Sequence, residues 1–170
     1  NWLTAIYNDL VPFFIIKEYE EAVLLRFGKF KGVYKKGIHW KIPFFDEIIN
    51  QHTVITTLSI PAQSLVTTDN HEIVVESIVK YKIADTKIFL LEVYDTVDAI
   101  SDVTQGIIKN VIMTSTWAEC RDTAIDKAIE KKVRVELKKF GVYVEAVTLT
   151  SISKIRTYRL INQTQTPFET

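Results

Sequence analysis

Apolar and polar residues alternate with a period of two through the first half of this chain, and the period lengthens to that of a helix after Asp85. The alternation is clearest over residues 72–83. Ile73, Val75, Val79, Tyr81 and Ile83 share one face, while Glu72, Glu76, Lys80 and Lys82 share the other with Val74 and Ile78. That pattern predicts a long strand with one buried face. Shorter strands are predicted over 21–27, closed by Gly28, over 38–42, ended by Pro43, and over 48–60, ended by Pro61. Gly32 and Gly37 mark turns between the first two. Phe44 and Phe45 are expected to plug the end of the sheet, and His39 to point outward. Thr68-Asp69-Asn70 is turn chemistry feeding the long strand.

Asp85 to Val93 reads as a short N-capped helix. Val97, Ile100, Val103, Ile107, Ile108, Val111 and Ile112 then form a stripe that predicts a helix over 96–115, with Gly106 as a weak point inside it. A third helix is predicted over 122–140. Asp122 is its N-cap, Ile125, Ile129, Val133, Leu137 and Phe140 are its buried stripe, and Gly141 follows its end. Residues 142–150 alternate again, so a late strand returns to the sheet. Strands, then helices, then one returning strand make an α+β fold, an antiparallel meander sheet with helices packed on one face. Lys154 to Ile161 is compatible with the start of another helix, and the polar tail after it is expected to fray.

Ahead of the first strand, Trp2, Leu3, Ile6, Tyr7 and Leu10 have helical spacing, and Pro12 separates them from Phe13, Phe14, Ile15 and Ile16. Two readings stand: a helix packed on the domain's own core, or an interfacial helix lying among lipid headgroups. No apolar run is long enough for a complete transmembrane helix. The chain starts at Asn1, which implies a preceding segment or processing.

Charge sharpens this picture. The whole chain is neutral, with 21 basic and 21 acidic residues, which argues against a globally basic nucleic-acid binder. Yet Arg26, Lys29, Lys31, Lys35, Lys36 and Lys41 fall in a span, residues 22–45, without Asp or Glu. A solvated loop is the plain reading. Contact with anionic lipid headgroups is the sharper one, and RNA binding is a weaker third. No catalytic motif is present, and one cysteine with three scattered histidines leaves little for a metal site. Arg121 beside Cys120 could lower the thiol pKa, but a packed cysteine is the favoured reading. No catalytic residue, metal or cofactor is expected.

The order Arg26-Phe27-Gly28-Lys29, Gly37-Ile38-His39-Trp40, Pro43-Phe44-Phe45-Asp46, Thr67-Thr68-Asp69-Asn70 and Phe140-Gly141-Val142-Tyr143-Val144 resembles the SPFH or band 7 domain of stomatins, prohibitins and flotillins. The resemblance covers roughly residues 15–152. Lys36 departs from the proline many members carry, and residues 153–170 lack the heptads of the coiled coil that often follows. The resemblance implies a membrane-associated, self-associating scaffold, and not an enzyme, that organises membrane proteins or microdomains, with a membrane protein or membrane protease as client. A soluble ligand-binding or enzymatic α+β domain is the alternative. The expected division is a membrane-associating segment over 1–16, an SPFH-like domain over 17–152 and a helical or frayed tail over 153–170. The expected membrane-contact set is Trp2, Leu3, Ile6, Tyr7, Leu10, Phe13, Phe14, Lys29, Lys31, Lys35 and Lys36. The expected self-association set is Lys127, Glu130, Lys131 and Arg134, a mixed-charge helix face suited to polar contacts. The partners are anionic headgroups and further copies of the chain, with no nucleic acid. The expected location is the membrane, by peripheral contact or through an anchor outside this chain.

Overall fold

The computed structural model describes residues 11–155, so Trp2, Leu3, Ile6, Tyr7 and Leu10 lie outside the described residues. Five short strands come first: β1 (Phe13–Ile16), β2 (Glu20–Arg26), β3 (Lys29–Tyr34), β4 (Gly37–Trp40) and β5 (Asp46–His52). They form two small antiparallel sheets, a β1-β4 ribbon and a β3-β2-β5 sheet. Residues 53–55 lead into the larger sheet. Its strands are β6 (Thr56–Val66), β7 (Glu72–Ile83) and β8 (Val142–Lys154), in the order β6-β7-β8 and antiparallel throughout.

Between β7 and β8 the chain forms one π-helical turn, Ile88–Glu92, then α1 (Thr96–Met113), α2 (Trp117–Cys120) and α3 (Thr123–Leu137). Asp85 caps the π-helical turn by accepting from the Ile88 amide at 3.1 Å, and Asp122 caps α3 by accepting from Ala124 at 3.2 Å. The predicted stripes are the buried ones. Ile73, Val75, Val79 and Tyr81 of β7 meet Ile100, Ile108 and Ile112 of α1 and Ile129, Val133 and Leu137 of α3 in one apolar cluster. Val97 alone of the α1 stripe is exposed. Ile16, Ala22, Val23 and Leu24 are buried in the smaller module, outside that cluster. Gly141 ends the helical run at φ 73, where a Cβ would meet the Asp85 carbonyl oxygen at 2.5 Å. Only glycine fits this crossing.

Four expectations are corrected. The apolar run 48–60 is two strands, and β6 passes through Pro61 to Val66. Pro61 sits in a register shift between Ile60 and Gln63 on an edge strand, where its missing N–H costs no ladder bond. The glycine-marked stretch after Gly28 is itself a strand, β3, and Phe13–Ile16 is another. His39 points inward, between the rings of Phe14 and Tyr34, with Nε2 2.7 Å from the Lys35 carbonyl oxygen. Phe44 and Phe45 do not plug the sheet but stand exposed.

Candidate functional site

The smaller module has one distinctive end. There β2 turns into β3 through Phe27-Gly28, and β4 passes into β5 through residues 41–45. The chain also enters at this end, because the Lys41 amide donates to the Pro12 carbonyl at 2.9 Å. The two turns are tied together. The Phe27 amide donates to the Phe45 carbonyl at 3.0 Å, and the Arg26 guanidinium makes a two-pronged bridge to Asp46 at 2.7 and 2.9 Å. The second Asp46 oxygen also accepts from the Ile42 amide at 2.8 Å. The Arg26 hydrogen bond outweighs burial and holds the Asp46 carboxyl below its ordinary pKa.

This fastening presents apolar side chains outward. Trp40 and Phe44 are each 76% exposed and Phe27 is 71% exposed, while the Phe45 ring packs tilted against Phe27 with ring centres 4.8 Å apart. Phe27 (φ 52) and Phe44 (φ 67) hold left-handed backbone, on the order of 1–2 kcal/mol unfavourable for a bulky residue. Beside them the β1-β4 ribbon pairs Phe13 with Trp40 and Ile15 with Ile38, and all four are exposed. Phe14 is half-buried on the opposite face against Tyr34 at 5.9 Å. So of the two described aromatics expected at the membrane, Phe13 faces out and Phe14 faces in. Phe27, Ile38, Trp40, Phe44 and Phe45 were missed. For Phe27, Phe44 and Phe45 the signal was aromatic residues in turns, where small polar residues belong.

The basic span divides. Lys29 follows the Phe27-Gly28 turn, and Lys31 lies two residues on, at the register shift where β3 pairs with β2. Lys35 and Lys36 sit at the opposite end of β3, where they pair with Glu21 (3.9 Å) and with Glu18. The helix set also divides. Lys127 and Lys131 are exposed on α3. Arg134 instead bridges Glu130 at 2.8 Å and donates to the Val144 and Glu145 carbonyls at 3.0 and 3.1 Å. It covers the outer edge of β8, as Asp126 does at the Leu149 amide (3.5 Å). Cys120 is buried, and burial pushes its thiol pKa up, so Arg121 does not activate it. No helix among the described residues is long and apolar enough to cross a membrane.

A family model described as "SPFH domain / Band 7 family" matches residues 14–166. The chain belongs to the SPFH domain / Band 7 family. A stomatin homolog of Pyrococcus horikoshii is 30% identical over 81% of this chain and 53% of its own length. Mechanosensory protein 2 of Caenorhabditis elegans is 24% identical over 89% of this chain and 35% of its own. Protein HflC of Buchnera aphidicola is 36% identical over 43% of this chain and 26% of its own. The chain spans about half the length of several such relatives. Within this SPFH domain the aromatic end is built by the Arg26–Asp46 span whose motifs carried the resemblance.

Proposed function

We propose that this SPFH domain is a membrane-associated scaffold that seats on a bilayer by its aromatic end and gathers further copies beside it, holding a membrane protein or membrane protease as client. One observation carries the reading. Two fastened turns and one ribbon face present Phe27, Trp40, Phe44, Phe45, Phe13 and Ile38 to the surroundings at the end where the chain enters. A soluble surface seldom concentrates exposed aromatics so, whereas rings at a lipid interface gain by burial. Residues 2–10, which precede β1 in the sequence, include further apolar side chains. Lys29 and Lys31 flank the aromatics and suit anionic headgroups, at about 1 kcal/mol each.

Co-sedimentation with mixed phosphatidylcholine–phosphatidylserine vesicles tests this. Neutralising Lys29 and Lys31 is expected to weaken binding and flatten its salt dependence. Neutralising Lys35 and Lys36, which are paired at the other end of β3, is expected to do so less. Equal effects from the two pairs would contradict the proposed seating.

A further inference from the structure

A pocket of about 310 Å³ opens between the end of α3 and the start of β8, at the small end of the range for ligand sites. Ala84, the buried Val142 and the Tyr143 ring give it apolar walls, while Arg134 and Lys138, one turn apart, give it a cationic one. The Tyr143 ring centre lies 5.4 Å from the Arg134 guanidinium and 5.1 Å from Lys82 Nζ. Arg134 commits Nε to the Val144 carbonyl and Nη2 to Glu130 and the Glu145 carbonyl, so Nη1 has no partner among the described residues. The Lys138 ammonium has none among them either. The neighbouring charges are otherwise matched. Glu130 bridges Arg134 at 2.8 Å, Glu145 bridges Lys82 at 3.5 Å, and Glu136 bridges Lys139 at 2.7 Å. Asp85, next to Ala84, is turned to the Ile88 amide.

We propose that this pocket binds a carboxylate carried on a compact apolar group. The carboxylate accepts hydrogen bonds from Arg134 Nη1 and Lys138 Nζ, and the apolar group lies against Val142, Ala84 and the Tyr143 ring. Lys138 is the one uncompensated cation lining the pocket among the described residues, which suits a singly charged anion better than a phosphate dianion. The apolar walls keep water from the pair and so strengthen it. A neutral amide of the same shape would cover Lys138 without pairing it. Arg134 already holds the Val144 and Glu145 carbonyls, so an extended peptide cannot run on along β8 from here. The ligand is therefore a free small acid or the last residue of a polypeptide entering end-on, and both present the same carboxylate. The pocket also stands apart from the aromatic end. It lies at the join of the two modules, where the Ala84 amide donates to the Gly141 carbonyl at 2.8 Å and Thr86 bonds to Glu21.

Amide chemical shifts of the whole chain test this, with isocaproate and isocaproamide as one pair of probes and acetyl-alanyl-leucine and its C-terminal amide as the other. At millimolar concentration an acid is expected to shift Ala84, Val142 and Tyr143, and its amide to bind about tenfold more weakly or not at all. Binding of both acids supports the shared carboxylate chemistry. Binding of the peptide acid alone assigns the site to chain ends, and binding of isocaproate alone assigns it to small acids. Lys138→Met keeps the stem and removes the charge, and is expected to weaken the acids about tenfold. Ala84→Leu is expected to fill the pocket and abolish binding. Lys127→Met makes the same change of net charge on an exposed part of α3 away from the pocket, and is expected to bind as the parent does. Parent-like dispersion of the amide spectrum separates these effects from misfolding. Binding of neither acid, equal affinity for acid and amide, or unchanged affinity in Lys138→Met overturns the proposal. Lys138→Met is expected to bind vesicles as the parent does, so the seating on a bilayer stands or falls separately.

Discussion

Phe27 and Phe44 hold backbone that asparagine tolerates far better. Replacing both with asparagine is expected to leave thermal stability unchanged or raised, while vesicle binding falls sharply. A variant that melts lower and binds as before would show the rings to be structural. Asp46 is the opposite case, because its side chain is fully buried against Arg26. Asp46→Asn is expected to cost about 2 kcal/mol in denaturant unfolding at neutral pH, since a charge-assisted pair is lost. The folded carboxyl pKa is depressed, so the stabilisation is complete above the unfolded value of about 3.9 and fades as pH falls through the lower folded value. The gap between parent and variant is therefore expected to close below about pH 4. The bridge itself was not legible in the sequence, because Arg26 and Asp46 are brought together only by the pairing of β2 with β5.

Long elements were legible and short ones were not. β7 has twelve residues and α3 fifteen, enough for a period to declare itself, and every residue of the α3 stripe through Leu137 is buried. Val133 is wholly buried, so Val133→Asp is expected to cost several kcal/mol and unfold the domain. Lys131→Asp, on the exposed face, is expected to melt near the parent temperature. β1 and β4 have four residues each, too few to separate a strand from a loop, and β3 carries Lys29, Lys31 and Gly32, which read as turn. Pro61 misled for a different reason. It forbids a central strand but not a bulged edge, and edge position is a property of the sheet rather than of the segment. The aromatic end was hidden in the same way. Phe44 and Phe45 look like core until the turn around them is seen to open outward.

The whole molecule joins two modules with separate buried sets, and the Thr86 hydroxyl donates to Glu21 across the join at 2.5 Å. The helix flanks carry charge rather than a broad apolar interface, so the 170-residue chain is expected to sediment mainly as monomer at micromolar concentration. Tethering on vesicles raises local concentration, and higher species are expected there. A discrete stable oligomer in solution would contradict this. The join also fixes which way the larger sheet extends. Ile83 and Val142 lie near the smaller module, while Glu72 and Lys154 lie at the other end of a twelve-residue strand, about 36 Å away at about 3.3 Å per residue. Trp117 belongs to that far rim, under Lys154 and bonded through its amide to Asp69. A copy seated by its aromatic end would thus act as a spacer, with its rim held at one height. A row of such copies would form a rail whose upper edge is level because every post is cut to the same strand.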